Sequence, residues 1–435
     1  MNPVLVGFIG LAVLLVLIFA GIPVGFSMGI CGFLGTVYML GFSIAVPQLH
    51  TTFYSVTSEY GLTVLPFFIL MGFFASLGGA TDELYVTAEK WLRRLPGGLA
   101  LASIAGCAGF AAVCGSNMAT TATMAKIALP QMKAAKYDDA LITGTIASGG
   151  TLGALIPPST IFVIYGIIAE ESIGELLISG IIPGALLALG FMLIVVVRVK
   201  LNPRLAPINL APVSWREKFV SVKNVWQVLL VFFMVIGGIY MGIFTPTEGG
   251  AVGAFILFGL ALFRGKVTVK NLFHSMIDTS VLTAMIFFII FGAFLFKDFL
   301  ALSQIATKLG NMVIELQLSK YPVIVAVIVL LLVLGTFMPE IPMIMLFAPV
   351  VLPTLKAVGW DPIWFGVICV LMVSAGEISP PIGGTVFMMA AMAKDVPVTR
   401  IFAGALPFAI AVVALCILLI AFPQIALFLP RVMLK

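Results

Sequence analysis

Two short stretches of this sequence place proline pairs beside glycine, serine and threonine inside otherwise apolar runs. The first, GTLGALIPPST, covers 150–160, and the second, AGEISPPIGGT, covers 375–385. Proline has no backbone N–H and breaks a helix, so each pair should leave carbonyl and amide groups without helical partners. Helix C-termini carry partial negative charge and helix N-termini carry partial positive charge. Each break can therefore offer oxygen ligands to a hard cation such as Na⁺ and amide groups to an anion at the same depth.

The overall composition is that of a protein surrounded by lipid. Of the 435 residues, 62% are hydrophobic and 9% are charged, and the mean hydropathy is +1.22. Soluble domains carry about 25% charged residues, which cover a surface that faces water. Apolar stretches such as 4–21 are long enough to cross the hydrocarbon layer. The sequence therefore predicts an all-α polytopic membrane protein.

Enzymatic and nucleic-acid functions find no support in the sequence. The five cysteines lie in apolar segments, the two histidines are isolated, and no metal-ligand or nucleophile motif is present. The net charge of +5 comes from basic residues in short loops, the usual pattern at the cytoplasmic ends of membrane spans. We therefore expect no enzyme, no nucleic-acid partner, and membrane lipid around the chain.

The two breaks belong to an internal repeat. A shift of 223 positions places Pro157 on Pro380. The same shift matches identical residues at Leu129, Pro130, Lys133, Ala134, Asp138, Gly153 and Pro158. Matches at proline, glycine and aspartate are informative because these residues have backbone or capping roles. Paired breaks in a duplicated membrane protein are typical of transporters, whereas a single proline kink is common in any membrane helix.

The repeat divides the chain into two halves with equivalent elements. The predicted units are a first repeat at 1–197, a basic linker at 198–224 and a second repeat at 225–435. Each repeat should contain a re-entrant helical hairpin and a broken transmembrane helix. The predicted hairpins are at about 97–133 and about 321–357, and the predicted broken helices are at about 138–168 and about 361–393.

The distribution of charge predicts the orientation of the two repeats. With the linker in the cytoplasm, Lys133 and Arg400 also lie on that side, and the acidic segment EESIGE at 170–175 lies outside. Each repeat then has five crossings, which is an odd number. The two repeats should therefore be inverted relative to each other.

The hairpin tips and the breaks together form the candidate sites. Backbone groups freed at a break must face protein, water or a bound species, because lipid offers them no partner. The predicted Na⁺ ligands are Ser116, Asn117, Gly153, Ile156 and Pro157 in the first repeat, and Thr336, Gly376, Ser379 and Pro380 in the second. The predicted substrate contacts, between these two sites, are Asn117, Ser159, Thr160, Gly383 and Thr385.

Two carboxylates inside apolar segments have two open interpretations. Glu340 lies near the second hairpin tip, and Glu377 lies beside the second break. Intramembrane carboxylates can bind protons or cations. Alternatively, each carboxylate caps a helix end or pairs with a basic residue near the interface.

Three segments carry a resemblance to a known family. The large membrane subunit of TRAP transporters, the tripartite ATP-independent periplasmic transporters, is what these segments resemble: CGSNMATTATMAKIALPQMKAAKYDDALITGTIASGGTLGALIPPSTIFVIYGIIAEESIGELLISGIIPG (114–184), GIFTPTEGGAVGA (242–254) and GWDPIWFGVICVLMVSAGEISPPIGG (359–384). The resemblance implies an elevator-type transporter of inverted repeats, driven by Na⁺, in the inner membrane of a bacterial or archaeal cell. It also implies an organic acid substrate, a carboxylate or a sulfonate. The second tip, TFMPEIP (336–342), lacks a Ser-Asn pair, which leaves the symmetry of the two Na⁺ sites open.

The same resemblance implies two protein partners. One is a periplasmic substrate-binding protein that delivers the organic acid, and the other is a small four-helix membrane subunit. Because the chain starts directly in its first span, we expect the small subunit to be a separate polypeptide. Two other functions remain to be compared: a stand-alone anion carrier that needs no binding protein, and a non-transporting membrane scaffold or intramembrane enzyme.

Overall fold

The protein is built from helices. The structure, a computed structural model, describes residues 2–207, 213–316 and 319–433, and these contain α-helices and short helical turns but no strand. The α-helices are α1 (Pro3–Phe19), α2 (Val24–Leu40), α3 (Phe42–Ser58), α4 (Val64–Leu77), α5 (Ala80–Leu92), α6 (Gly98–Cys114), α7 (Asn117–Ala134), α8 (Asp139–Gly150), α9 (Leu152–Leu155), α10 (Thr160–Ala169), α11 (Ile173–Ser179), α12 (Ile181–Leu201), α13 (Trp215–Val222), α14 (Trp226–Tyr240), α15 (Pro246–Phe263), α16 (Val269–Ser303), α17 (Ile305–Glu315), α18 (Lys320–Gly335), α19 (Glu340–Ala357), α20 (Pro362–Glu377), α21 (Gly384–Met392), α22 (Val398–Ala421) and α23 (Gln424–Met433). The predicted all-α fold is confirmed.

Several of these helices can cross a membrane. By length and composition, six segments of the described ranges qualify, and up to eight qualify if each bent helix pair counts as one span. One bent pair is α8–α9 followed by α10, with an angle of 43° at the first proline pair. Large apolar side chains such as Phe255 and Phe263 are exposed on the outside of the chain, where lipid would contact them. The fold is therefore that of a polytopic membrane protein.

The repeat matches have local structural reasons. Asp138 caps the N-terminus of α8, where its carboxylate accepts from the amides of Ala140 and Leu141 at 2.9 and 3.2 Å. Asp361 caps α20 with the same pattern and the same two distances. Aspartate at this position satisfies amides that the first helical turn leaves without partners. The matched aspartates thus fix where each broken segment begins.

The predicted linker is partly helical. It takes in the end of α12 and all of α13, while residues 208–212 lie outside the described ranges. α13 packs on α5, where the Thr87 hydroxyl donates to the Ser221 carbonyl at 2.9 Å and the Trp91 ring N–H donates to the Lys218 carbonyl at 3.2 Å. The linker is therefore anchored to the first half of the chain.

The two halves contact each other through equivalent helix pairs. α2 packs along α16, and α15 packs along α4. The 223-residue shift places α2 on α15 and α4 within α16, so each of these contacts is the counterpart of the other. The first tip helix, α7, packs against α21, and its counterpart α19 packs against α10. Contacts between the halves therefore follow the repeat.

Charged residues meet at the ends of these helices. Lys133 at the end of α7 forms an ion pair with Asp395, and an Arg400 guanidinium N–H donates to Asp138 at 2.8 Å. The Lys133 ammonium holds the pKa of the Asp395 carboxyl below its ordinary value. Exposed pairs of this kind stabilise a fold only slightly. They do bring Lys133 and Arg400, two residues predicted to be cytoplasmic, to the same end of the bundle.

The contact between α2 and α16 depends on glycine. A Cβ added at Gly292 would lie 2.2 Å from the Gly25 carbonyl oxygen, and one added at Gly32 would lie 2.6 Å from the backbone of Leu295. Small residues let membrane helices approach until their backbones touch, which increases van der Waals contact where the hydrophobic effect is weak. A side chain at either position must push the two helices apart.

We expect Gly292→Ala to destabilise the protein. The added methyl group collides with backbone, which cannot rotate away, so the free energy of unfolding should fall by about 1–3 kcal/mol. Gly259→Ala on α15 is the control, because a Cβ there meets no atom within 4 Å. Thermal unfolding of both variants in detergent measures the difference. Equal midpoints for the two variants would show that the close approach of α2 and α16 does not matter.

Candidate functional site

The first hairpin tip rests on the first break. α6 ends at Cys114, and Ser116 caps α7 after the left-handed residue Gly115 (φ 64°). The amide and the hydroxyl of Thr160 both donate to the Gly115 carbonyl, at 3.3 and 3.0 Å. A Cβ at Gly153 would lie 2.6 Å from the Ser116 carbonyl oxygen. The freed backbone groups of the tip and of the break therefore face each other.

The other predicted residues of the first site have different surroundings. Ile156 packs against α12, where a Cβ at Gly184 would lie 2.8 Å from its side chain. Pro157 is buried. Ser159 caps α10: its hydroxyl oxygen accepts from the Phe162 amide at 3.4 Å, and its O–H donates to the Ala154 carbonyl. The structure thus brings Ser116, Gly153 and Thr160 together and directs Ile156 away from the tip.

The second tip rests on the second break in the same way. α18 ends at Gly335, and a Cβ at Gly376 would lie 2.3 Å from the Gly335 carbonyl carbon. The Ile382 amide donates to the Thr336 carbonyl at 3.2 Å. The Ser379 hydroxyl donates to the Ala375 carbonyl at 2.7 Å. The matched glycines, 153 and 376, thus have the same role: each lets a tip touch a broken helix.

The two breaks differ in how far they are enclosed. Pro157 and Pro158 are buried, whereas Pro380 and Pro381 are exposed, and Ile382 is 48% exposed. α12 covers the first break. The equivalent helix of the second repeat, α22, packs against α20 and α21, yet the second proline pair is exposed, so this loop lies at the surface of the chain.

Asn117 lies between two carboxylates where the halves meet. Its amide nitrogen donates to Glu340 at 2.7 Å and to Glu377 at 2.8 Å. The three side chains are 0%, 7% and 1% exposed, respectively. Two acceptor atoms in this group, Asn117 Oδ1 and Glu377 Oε1, are buried and have no hydrogen-bond partner. We call Asn117, Glu340 and Glu377 the central cluster.

Helix ends meet at the central cluster. α7 begins at Asn117 and α19 begins at Glu340, so two helix N-termini approach each other there. α20 ends at Glu377, so its carboxylate lies at the negative end of a helix. The ion pairs of the described residues include neither glutamate. Within the described residues, the partners of the two glutamates are therefore the Asn117 amide and the surrounding helix ends.

The predicted substrate residues fall into two groups. Thr385 donates its hydroxyl to the Glu377 carbonyl at 3.0 Å, and a Cβ at Gly383 would lie 2.5 Å from that same carbonyl oxygen. These two residues therefore lie beside the central cluster with Asn117. Ser159 and Thr160 lie on the first break instead, with their hydroxyls bonded to backbone carbonyls.

Both glutamates lie outside the residues predicted for the sites. One signal in the sequence could have placed Glu340: it lies 223 positions after Asn117, at the equivalent point of the second tip. The capping interpretation is not supported: Glu340 is the first residue of α19, but the cap residue is Pro339 and no side chain accepts from the first amides of this helix. Pairing with a basic residue does not occur for either glutamate in the described ranges. Each instead accepts from the Asn117 amide.

We expect Asn117→Ala to weaken the contact between the halves. Two buried carboxylates would lose their shared donor, which should lower the free energy of unfolding by about 1–3 kcal/mol. Asn224→Ala, at an exposed position, is the control. Thermal unfolding of the two variants in detergent measures the effect. A midpoint for Asn117→Ala that matches the control would show that the carboxylates do not depend on this amide.

Comparison with known sequences identifies one family over nearly the whole chain. Residues 11–425 match the family described as "Tripartite ATP-independent periplasmic transporter, DctM component". The chain is 34% identical over 404 residues to the C4-dicarboxylate TRAP transporter large permease protein DctM of Pseudomonas aeruginosa, covering 92% of this chain and 93% of that protein. It is 32% identical to the sialic acid TRAP transporter permease protein SiaT of Haemophilus influenzae, covering 98% of this chain and 68% of that protein. It is 30% identical to the isethionate TRAP transporter permease protein DctMQ of Oleidesulfovibrio alaskensis, covering 90% and 60%.

Two solved structures share the fold at low sequence identity. The YdaH transporter of Alcanivorax borkumensis superposes with a TM-score of 0.59 and 16% identity, covering 88% of this chain and 89% of that chain. MtrF of Neisseria gonorrhoeae gives a TM-score of 0.59 and 14% identity, covering 88% and 85%. These similarities show that the helix arrangement occurs in other membrane transporters.

Proposed function

Because this chain belongs to the DctM component family of the tripartite ATP-independent periplasmic (TRAP) transporters, we propose that it carries an organic acid anion across the membrane, driven by Na⁺. The chain is a large transport subunit and not an enzyme, as its relatives are TRAP permeases. The observation that carries the proposal is the pair of hairpin tips that rest on two broken helices and meet at Asn117. Ion and substrate sites in secondary transporters are typically built from such discontinuous helices.

The proposed substrate is a carboxylate or a sulfonate. Relatives are named for C4-dicarboxylate, sialic acid and isethionate, all of which carry an acidic group. In this chain the acidic group would contact residues at both breaks and at the first tip, namely Asn117, Ser159, Thr160, Gly383 and Thr385. Amides at helix N-termini and hydroxyl groups suit an anion. The names of the relatives support the class and do not select one acid.

Na⁺ would bind where each tip meets its break. Carbonyl and hydroxyl oxygens gather there, and oxygen is the ligand that hard cations prefer. The first site would use Ser116, Asn117, Gly153, Ile156 and Pro157. The second site would use Thr336, Gly376, Ser379 and Pro380. Close backbone contacts at Gly153 and Gly376 support both positions. The Ile156 side chain points toward α12 and packs there.

An elevator mechanism in inverted repeats would move the substrate. The moving part would contain the hairpins and broken helices, and the frame would contain the remaining long helices, including α2 and α16. Counterpart contacts in the two halves, α2 with α16 and α15 with α4, support a two-fold relation between the repeats. The glycine contact of α2 with α16 supports a rigid frame.

The transporter would work in the inner membrane with two partners. A periplasmic substrate-binding protein would deliver the organic acid, as the name of the family indicates. A small four-helix membrane subunit would be the second partner. The relative from Pseudomonas aeruginosa supports this, since it is called a large permease protein. The stand-alone carrier is the alternative that the following experiment separates.

Uptake by proteoliposomes that contain this chain and its small subunit tests the proposal. We expect uptake of the acid only with an inward Na⁺ gradient and with the binding protein present. Ser116→Ala and Ser379→Ala should each raise the Na⁺ concentration for half-maximal uptake by about tenfold, because one oxygen ligand is lost at about 1.4 kcal/mol. Ser280→Ala is the control, since its hydroxyl makes the same kind of bond to the fourth preceding carbonyl as Ser379 does.

Each other outcome of the uptake experiment points to a different conclusion. Uptake without the binding protein would establish a stand-alone carrier. Uptake that does not depend on the Na⁺ gradient would show that the tips and breaks do not bind a driving Na⁺ ion. Unchanged flux in Asn117→Ala and Ser379→Ala would exclude any transport role for the region where the tips meet.

A further inference from the structure

One lysine of the linker is buried without an anion beside it. Lys218 on α13 is 9% exposed, and no carboxylate of the described residues forms an ion pair with it. Its ammonium nitrogen lies 4.9 Å from the centre of the Trp215 ring and 5.8 Å from the centre of the Trp91 ring. Ring faces attract a cation, but a buried ammonium group also needs acceptors for its three N–H donors. The described part of the chain therefore supplies aromatic rings for this ammonium group but no anion.

The aromatic rings around Lys218 are held by specific contacts. The Trp91 ring N–H donates to the Lys218 carbonyl at 3.2 Å. The Phe219 ring meets the Trp91 ring edge-on, with 5.7 Å between the ring centres, and stacks on the Trp215 ring at 6.3 Å. These contacts tie α5 to α13 and fix the rings relative to the lysine. A ligand would find them already in place, which lowers the entropy cost of binding.

α13 lies at the end of a membrane span. α13 and α14 together qualify as one span with a bend of 42°, and α14 is almost entirely apolar. Trp215 and Phe219, one helical turn apart on α13, are 67% and 62% exposed. Tryptophan is enriched at the boundary between lipid and water. The exposed rings of α13 therefore suit this boundary, with acyl chains on one side and head groups on the other.

Positive charge is concentrated around this site. The basic residues are Lys90, Arg93 and Arg94 at the end of α5, and Arg216, Lys218 and Lys223 in or directly after α13. Of the acidic residues on the same two helices, Glu83 and Glu89 are paired with arginines, and Asp82 lies at the other end of α5. The remaining carboxylate, Glu217, is exposed. Basic groups at a cytoplasmic membrane surface attract anionic lipid, and the sequence predicts this linker to be cytoplasmic.

We propose that this site binds the phosphate group of an anionic phospholipid in the adjoining leaflet. The Lys218 ammonium donates to the phosphate oxygens, and the exposed faces of Trp215 and Phe219 contact the acyl chains. A hydrogen bond between charged groups is stronger than a neutral one, and the rings shield one side of it from water. A free phosphate ion would meet the same ammonium group but would leave the exposed rings without an apolar partner. The proposal does not depend on the transported acid or on Na⁺.

Thermal unfolding in the presence of matched lipids tests the proposal. The full chain is purified with its small subunit in a neutral detergent. Its unfolding midpoint is then measured against the concentration of phosphatidylglycerol, or of phosphatidylcholine with the same acyl chains. A ligand that binds only the folded state raises the midpoint. We expect phosphatidylglycerol to do so at a concentration about tenfold lower, because several basic residues near a membrane surface each favour anionic lipid. Inorganic phosphate at matched ionic strength should give no such rise.

Lys218→Gln should reduce the tenfold difference between the lipids to about twofold, because one lysine contributes about a factor of five. Lys218→Arg keeps the charge and the ring contacts, so it should keep the difference. Lys266→Gln is the matched control: it removes one exposed positive charge from a loop predicted to be on the same side, and the difference should persist. The wild-type comparison needs no variant, so a variant that fails to fold does not decide the result.

Four results would overturn the proposal. Equal potency of the two lipids on the wild type would show that the charge of the head group is not recognised. Equal losses in Lys218→Gln and Lys266→Gln would show attraction by diffuse charge instead of a site. Inorganic phosphate as effective as phosphatidylglycerol would show a site for a free anion. No lipid effect, together with loss of the small subunit from Lys218→Gln during purification, would identify a carboxylate of that subunit as the partner. Because unfolding is measured without transport, none of these results depends on whether the chain carries an organic acid.

Discussion

A helix that ends inside a membrane protein must find partners for its last backbone groups, and this requirement organises the whole structure. Four interruptions occur, two at hairpin tips and two at proline pairs, and each tip is placed against a break. Glycines 153 and 376 make the contact close enough for the freed groups to face one another. In lipid each unpaired group would cost several kcal/mol, and here the groups of each tip and break are placed against one another.

The repeat supplies the same architecture twice, but the chemistry at its centre is not the same in both halves. Asn117 and Glu340 are equivalent by position, and they are hydrogen-bonded to each other. An amide meets a carboxylate where strict duplication would place two identical groups. Two carboxylates alone would repel, and two amides would carry no charge. The difference between Asn117 and Glu340 gives the meeting point an amide donor and a carboxyl group at once.

Much of the fold could be predicted because its boundaries coincide with residues of special backbone chemistry. Asp138 and Asp361 start helices as N-caps, and the proline pairs end them. The helix at Phe42–Ser58 contains polar residues and gives no span signal in the sequence. Asn117, Glu340 and Glu377 were each singled out in the sequence, but their meeting could not be predicted because it depends on contacts between distant segments. Hydroxyls predicted as ligands, such as Ser159 and Thr385, are bonded to carbonyls that only the folded chain brings near.

The two proline pairs differ in burial, and this difference makes the two halves of the molecule unequal. Both proline pairs follow a matched glycine at the same spacing, yet the first pair is buried and the second is exposed. A chain built from two similar halves would have equivalent faces if both breaks were covered alike. Here the two halves differ at their breaks, because only the second proline pair is exposed. The asymmetry of the molecule therefore lies in how the two breaks are enclosed and not in the composition of either repeat.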